Sequence, residues 1–323
     1  MLILKSSFNG NKWIKNKHIE TILPALFRKV NVHYERQRLG LADGDFIDID
    51  WIKNNNDRLL LLFHGLEGSS QSQYIKGFAK HFSSQNFDIC AVNFRSCSGE
   101  NNRLITSYHS GKSDDIQTII DHIISNNSYK NIVLGGFSLG GNVLLKYLGE
   151  NGNKVPTLIK AAFAFSVPVD LAASSKTLSQ TWNKVYMARF LKSLNRKLIE
   201  KSEKFPNQIN IKGLEKITTF DDWDTRFTAK IHGFENAQHY YQECSSLQFL
   251  NEIKVPTLLV NAQNDPFLAP TCFPTEVAKN HPYFHLETPK FGGHVGFAID
   301  NINGNYYSEL IANQFIENNM TIN

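Results

Sequence analysis

Six short apolar runs without strand-like alternation recur along this chain of 323 residues. Helical patterns separate several of them, at roughly 71–85, 114–126 and 140–149. A strand that helices cover on both faces needs apolar side chains on both, so such runs are typical of a parallel sheet. The chain is therefore predicted to form a mostly parallel, doubly wound α/β sheet. The runs span residues 58–63, 87–94, 131–137, 158–167, 257–262 and, more weakly, 283–288.

One further run and one long interval depart from this alternation of buried strands and helices. In residues 45–52, apolar and acidic side chains alternate, which predicts a half-exposed strand. Between about 172 and 252 no buried strand is evident, and apolar residues recur at nearly helical spacing instead. We expect a helical cap insertion at 172–252 over an α/β core of residues 31–171 and 253–323, with residues 1–30 as an N-terminal segment packed on that core.

Composition and charge argue against several classes of protein. The chain is 20% charged with a formal net charge of +4 and no long basic run, so no nucleic-acid partner is predicted. The first apolar stretch is too short for a signal peptide, and no segment approaches 18 uninterrupted apolar residues. The four scattered cysteines lack CxxC spacing, which disfavours a disulfide framework or a zinc site. We expect a cytoplasmic protein without an integral membrane segment.

The serine with the strongest functional signal is Ser138. It lies in the pattern Gly136-Phe137-Ser138-Leu139-Gly140, between an apolar strand and an apolar helix. In a nucleophile elbow the chain turns so sharply that the serine hydroxyl is thrust forward, and larger neighbours would collide with the adjacent strand and helix. G-x-S-x-G alone arises by chance, but its place in an α/β chain favours a nucleophile.

A serine nucleophile needs a base and a carboxylate, which follow it in the order acid then histidine in this type of fold. His294 lies in a glycine-bracketed loop after the last strand-like run and is the candidate base. His109 precedes the serine and is therefore in the wrong order. Asp265, directly after the run 257–262, is the favoured acid. Asp170 is its rival, although it would also suit a helix N-cap.

The oxyanion that forms on attack needs two backbone N–H donors. Leu139 follows the nucleophile and opens a helix, whose dipole would assist. Leu66, in the loop after the run 58–63, is the expected second donor. His64 in the same loop is expected to brace it by hydrogen bonding rather than to act as a base.

Several separated motifs resemble the YheT-like family of α/β-hydrolases, which is related to ABHD-type esterases and lipases and to yeast medium-chain ethyl ester synthase/esterases. These motifs are HGLEGSSQSQYI, NFRSCSGE, YHSG, GFSLGGN, SVPVDL and GGHVGF, with further likeness at residues 16–28 and 221–241. The resemblance implies ester hydrolysis of acyl chains, with acyl transfer to an alcohol in some members. It places the family's triad on Ser138, Asp265 and His294.

One departure concerns Ser96, which stands where the family pattern has glycine; the loop would shift if that position needs positive φ. Cys97 beside it is interpreted as a structural thiol. The acidic cluster at Asp221, Asp222 and Asp224 lacks the spacing of a calcium loop, so capping and salt bridging are favoured over a metal.

The sequence thus predicts a cofactor-free serine hydrolase of acyl esters, either short- to medium-chain or lipid-like. Water would deacylate the enzyme. Three alternatives remain: an acyltransferase with the same triad, a thioesterase or amidase, which differs only in the leaving group, and a non-catalytic α/β-hydrolase scaffold, since a fold alone does not establish activity. Peripheral membrane contact through basic residues of the insertion is possible, although a solvated face is preferred. Candidate residues for lining an acyl pocket are Trp182, Tyr186, Met187, Phe190 and Trp223.

Overall fold

The structure, a computed structural model, describes residues 2–11 and 15–320. Nine strands of this part of the chain form one sheet: β1 (Ile3–Leu4), β2 (Glu35–Gly40), β3 (Phe46–Ile52), β4 (Arg58–Phe63), β5 (Asp88–Asn93), β6 (Asn131–Phe137), β7 (Ile159–Phe165), β8 (Thr257–Val260) and β9 (Phe284–Glu287). Their order in the sheet is β1-β9-β8-β7-β6-β4-β5-β3-β2. The seven strands from β1 to β5 in that order are parallel, whereas β3 runs antiparallel to both β5 and β2.

Helices cover both faces of the sheet, and none in the described part of the chain has the length and apolar character needed to cross a bilayer. A five-residue π-helical turn, Asp224–Thr228, interrupts the insertion. Short 3₁₀ turns occupy Gly152–Lys154, Thr181–Asn183, Leu214–Lys216, Ser246–Glu252 and Pro270–Cys272. The α-helices are α1 (Lys17–Phe27), α2 (Gln73–Ser83), α3 (Ser113–Asn126), α4 (Leu139–Asn151), α5 (Leu171–Leu178), α6 (Lys184–Lys204), α7 (Phe220–Trp223), α8 (Ala229–His232), α9 (Ala237–Cys244), α10 (Thr275–Asn280) and α11 (Tyr307–Met320).

The core has two layers, one on each face of the sheet, as a doubly wound architecture requires. Helices α3 and α4 pack aliphatic side chains against one face. Helices α2 and α11 cover the other face, which is rich in phenylalanine. There Phe78 of α2 lies 4.8 Å from Phe137 and 5.2 Å from Phe163 between ring centroids. This layering confirms the predicted α/β sheet.

Strand β3 is buried on both faces, so the prediction of a half-exposed strand is wrong. Asp48 and Asp50, which suggested solvent exposure, are only 2% and 1% exposed. Arg38 and Arg36 of the edge strand β2 form paired hydrogen bonds with these carboxylates. A buried charge persists only when it is paired, and here an unpredicted strand supplies the partners.

The chain between β7 and β8 is helical, and no strand occurs among these described residues. Its two ends meet: the N–H of Leu171 donates to Ser245 Oγ at 3.0 Å, and the N–H of Leu247 donates to the Val169 carbonyl at 3.0 Å. Residues 171 and 245–247 therefore meet beside the carboxyl end of β7, before the chain runs on to the amino end of the parallel strand β8.

Helix α1 joins the core through polar side chains. Glu20 and Arg28 are 7% and 4% exposed. Arg28 pairs with the fully buried Glu309 of α11 at 2.6 Å. No sequence pattern predicted this helix, because its apolar residues do not mark the face that it buries.

Candidate active site

The turn between β6 and α4 has the backbone of a nucleophile elbow. Ser138 has φ 51° and ψ −122°, a conformation that is strained for a residue other than glycine. A Cβ at Gly140 would lie 2.3 Å from the carbonyl oxygen of His64, and one at Gly136 would lie 2.7 Å from Gly141 Cα. Because no methyl group fits in either place, glycine at both positions is what permits the turn.

Three side chains that the sequence singled out meet at this turn. His294 Nε2 lies 3.0 Å from Ser138 Oγ. On the other side of the ring, His294 Nδ1 lies 2.9 Å and 3.2 Å from the two carboxylate oxygens of Asp265. The Asp265 side chain has no solvent exposure and also accepts the N–H of Phe267 at 2.9 Å. With the proton on Nδ1 held by Asp265, Nε2 is free to accept the serine proton.

The loop that carries His294 is held by helix α1, which the sequence reasoning missed. The N–H of His294 donates to Thr21 Oγ1 at 2.9 Å. The N–H of Gly293 donates to Asn264 Oδ1 at 3.0 Å, and the Asn264 amide donates to Glu20 Oε2 at 2.6 Å. Burial raises the pKa of Glu20, partly offset by the hydrogen bond from Asn264. No local signal could reveal these contacts, because their partners are more than 240 residues apart.

The two backbone N–H groups expected to bind the oxyanion have no hydrogen-bond acceptor among the described residues. Neither the N–H of Leu66 nor that of Leu139 donates to a described residue, and both residues line the same cavity as Ser138. The next residue, Glu67, adopts φ 55°. Its backbone N–H donates to Tyr108 OH at 2.9 Å, and its carboxylate accepts from Lys197 of α6 at 2.8 Å. The cap helix α6 is thereby fastened beside the Leu66 N–H.

His64 is a fully buried brace. The N–H of Phe94 donates to His64 Nε2 at 3.1 Å, so Nδ1 carries the ring proton and donates to the Gly65 carbonyl at 2.7 Å. Burial lowers the pKa of His64 to about 4, which keeps the ring neutral. The ring has no free nitrogen with which to accept a proton from substrate.

A cavity under the insertion opens onto Ser138 and His294. Two of the five candidate lining residues, Phe190 and Trp223, form part of its wall. The structure places the other three elsewhere. Trp182 is 80% exposed, whereas Tyr186 and Met187 are buried in a cluster that joins helices of the insertion to Phe267. The surface of the wall is mostly apolar, and its apolar side chains include Leu66, Ile105, Leu139, Leu171, Leu178, Phe190, Leu194, Leu198, Phe220, Trp223, Ile231 and Phe267.

Polar groups line another part of the cavity. The imidazole rings of His109 and His232 lie 4.5 Å apart between centroids, and burial lowers the pKa of both, that of His232 to about 4. Asp224 accepts from Thr228 and Tyr241, at 2.6 Å and 2.7 Å. Burial raises the pKa of Asp224 to about 6. His109 does not contact Ser138, in keeping with its rejection as the base.

The rival candidates have structural roles. Asp170 is the N-cap of α5 and accepts the N–H of Ala173 at 3.0 Å. Cys97 is buried, and desolvation raises the pKa of its thiol to about 11, so it is a poor nucleophile. No group of three or more His, Cys, Asp or Glu suited to a metal occurs in the described residues.

Ser96 adopts φ 65°, so this position does need the left-handed conformation for which the family pattern has glycine. The serine hydroxyl compensates by hydrogen bonding with the Asn102 side chain and by accepting the Asn102 N–H at 3.2 Å. The loop is thereby held without a glycine.

Comparisons with known proteins agree with this geometry. A family model described as alpha/beta hydrolase fold matches residues 58–272. The chain is 35% identical to YheT of Escherichia coli (strain K12), a candidate esterase, over 90% of this chain and 87% of that protein. It is 29% identical to phospholipase ABHD3 of Homo sapiens, over 91% and 74% of the two chains.

Solved structures share the fold at lower identity. An esterase of Pyrococcus furiosus superposes with a TM-score of 0.60 at 17% identity, covering 91% of this chain and 98% of that one. Together with the match of the family model and the similarity to YheT, this shows that the chain belongs to the α/β-hydrolase fold family, in its esterase- and lipase-type branch.

Proposed function

We propose that this protein hydrolyses carboxylic esters through a triad of Ser138, His294 and Asp265. The observation that carries the proposal is the continuous hydrogen-bonded path from Ser138 Oγ through the His294 ring to Asp265, at distances of 3.0 Å and 2.9 Å. It begins at a serine whose strained backbone faces the cavity. Relatives named as a phospholipase and as a monoacylglycerol lipase support the same class of reaction.

In the proposed reaction, Ser138 Oγ attacks the ester carbonyl while His294 Nε2 takes its proton. The backbone N–H groups of Leu66 and Leu139 stabilise the oxyanion, and the N-terminus of α4 adds its dipole. His294 then returns the proton to the leaving alcohol, and the acyl group stays on Ser138. Water, activated by the same imidazole, releases the acid.

The proposed substrates are acyl esters, either of short to medium chain or lipid-like. The largely apolar wall of the cavity suits an acyl chain, because removing such a chain from water is favourable in proportion to its apolar area. Phe190 and Trp223 are the aromatic members of that wall among the residues first considered from the sequence.

The test is hydrolysis of p-nitrophenyl esters of increasing chain length, together with labelling by a fluorescent fluorophosphonate. We expect the wild-type protein to hydrolyse and label, and Ser138→Ala to do neither. The chain-length optimum then sizes the acyl site. If folded wild-type protein neither labels nor turns over any ester, the proposal is wrong and a non-catalytic scaffold takes its place.

A matched pair of variants tests the acid. Asp265→Asn should lower kcat by about 10⁴-fold, the loss expected when the carboxylate that fixes the imidazole tautomer becomes an amide. Asp170→Asn should retain activity, since asparagine is an equally good helix N-cap. The reverse result would move the acid to Asp170.

A further inference from the structure

Helix α1 is amphipathic in an inverted sense. The side that faces the protein buries Pro24 together with polar groups, among them Glu20, Thr21 and Arg28, which contact Asn264, His294 and Glu309. The apolar residues at positions 19, 22, 26 and 27 follow the spacing i, i+3, i+7 and i+8 and so form one stripe on the other side. That stripe faces solvent: Ile19 is 47% exposed, Ile22 39%, Leu26 61% and Phe27 60%.

A second exposed apolar pair lies beside the start of this helix. Trp182 and Val185, at the entry to α6, are 80% and 76% exposed. Their neighbour Tyr186 joins the two helices, because its hydroxyl lies 3.1 Å from His18 Nδ1. Residue 18 directly precedes the apolar stripe of α1, so the pair and the stripe belong to one side of the molecule. We call these six apolar residues the docking face: Ile19, Ile22, Leu26, Phe27, Trp182 and Val185.

The two segments that carry the docking face are mostly basic. The only carboxylate within residues 15–29 and 181–199 is Glu20, which is buried. The exposed basic residues in the same two segments are Lys15, Lys17, Lys29, Lys184, Arg189, Lys192 and Arg196. Exposed apolar side chains rimmed by cations suit a surface that is itself apolar beneath an anionic layer.

We propose that the docking face binds the surface of an anionic lipid bilayer. Its aliphatic and aromatic side chains enter the boundary between headgroups and acyl chains, while the surrounding lysines and arginines contact the anionic headgroups. This explains why a helix of a globular protein keeps an apolar stripe exposed. A second copy of the chain would bring the same positive charge to both sides of a contact, which disfavours that occupant.

The docking face adjoins the candidate active site. Tyr186 packs on Phe267, with ring centroids 4.8 Å apart, and Phe267 lies 4.1 Å from the His294 ring. Two successive ring contacts therefore connect Tyr186, beside the docking face, with the proposed base His294. Bilayer binding itself does not depend on the proposed hydrolysis and is measured separately.

The first experiment is flotation of the full-length protein with extruded vesicles. One set contains 70% phosphatidylcholine and 30% phosphatidylglycerol, and the other contains phosphatidylcholine alone. We expect co-flotation with the anionic vesicles, weaker binding to the neutral ones, and loss of binding as salt screens the cations. If wild-type protein floats with neither set at low ionic strength, the proposal is wrong.

The second experiment changes the docking face. The double variant Leu26→Ser, Phe27→Ser should lower the vesicle partition coefficient by about tenfold or more, because two apolar side chains no longer enter the lipid. Tyr283→Ser is the matched control: it removes an exposed aromatic residue just before β9, at the amino end of a parallel strand. Equal binding by both variants and wild type would overturn the proposal.

Two further readouts separate this proposal from its alternatives. The difference in fluorescence between wild type and Trp182→Phe reports on Trp182, whose emission should move to shorter wavelength on anionic vesicles. Sedimentation velocity without lipid should show a monomer, whereas a dimer that the double variant abolishes would assign the face to a second copy. Hydrolysis of a soluble p-nitrophenyl ester should be unchanged in the double variant, so a failure of docking and a failure of catalysis give different results.

Discussion

The backbone N–H of His294 donates to the hydroxyl of Thr21 across 2.9 Å, although 273 residues separate the two. Thr21 in turn donates to the carbonyl of Lys17, one helical turn earlier, at 2.7 Å. The orientation of the candidate base therefore depends on helix α1, outside the segment that the family model matches.

Thr21→Val should lower kcat about tenfold and leave KM nearly unchanged. The valine keeps the shape of the side chain but leaves the His294 N–H without an acceptor, which costs about 1–3 kcal/mol and loosens the imidazole. Thr21→Ser restores the acceptor and should restore kcat. Steady-state kinetics on one p-nitrophenyl ester distinguish the two variants. Equal loss in both would show that Thr21 acts through packing and not through its hydroxyl.

Gly140→Ala should destabilise the protein by about 3 kcal/mol or more and abolish activity. The added Cβ would lie 2.3 Å from the His64 carbonyl oxygen, which no side-chain movement relieves. Gly40→Ala, where nothing lies within 4 Å of the new Cβ, provides the control and should unfold at nearly the wild-type denaturant concentration. Urea titration measures both, and a stable Gly140→Ala protein would contradict the elbow geometry.

Lys197→Met should lower the free energy of unfolding by about 3 kcal/mol. The Glu67 carboxylate, 5% exposed, would lose its ammonium partner at 2.8 Å while remaining buried. We also expect a fall in kcat, because Glu67 follows the proposed oxyanion donor Leu66. Lys192→Met on the same helix removes an exposed charge and should change stability by less than about 0.5 kcal/mol. Similar stabilities for the two variants would refute the role of the pair.

Asp224 should make the fold less stable as pH rises. Burial raises its pKa to about 6, so between about pH 4 and 6 the folded protein keeps a proton that the unfolded chain has lost. The stability from this group is complete below pH 4 and is lost as pH rises through 6, a difference of about 3 kcal/mol. Asp224→Asn should remove this component, so its stability relative to wild type rises from pH 4.5 to 7.5.

The exposed Asp222 supplies the control for that measurement. Asp222→Asn removes an exposed carboxylate nearby and should leave the pH-dependent component from Asp224 in place. Chemical denaturation at several pH values checks both variants. Parallel profiles for wild type and Asp224→Asn would show that the buried carboxyl does not titrate as expected.

Local steric patterns made the sheet and the elbow predictable from sequence. Buried parallel strands leave uninterrupted apolar runs. Glycine is needed beside Ser138 because any larger residue would collide with the neighbouring strand. His294 and Asp265 could be chosen because side chains at the carboxyl ends of parallel strands meet at one edge. The order of these residues in the chain then left few combinations.

The remaining features depend on partners that are distant in sequence. Asp48 and Asp50 were expected to face solvent. The sequence of β3 does not indicate that Arg38 and Arg36 of β2 pair with these carboxylates. Trp182 looked like a pocket residue from composition alone, yet it lies on the surface. An amphipathic pattern also does not say which of its sides the protein buries, and α1 leaves its apolar stripe exposed.

The contacts of α1 have a consequence for the order of events during synthesis. The ribosome releases residue 20 long before residues 264, 294 and 309, with which this helix and its cap make their polar contacts. Until those residues emerge, α1 has no place to dock and the polar side chains at positions 20, 21 and 28 lack their partners. Strand β1 likewise cannot pair in the sheet until β9 has been synthesised. We therefore expect the nascent chain to acquire its sheet progressively but its competent histidine loop only after the last helix leaves the exit tunnel.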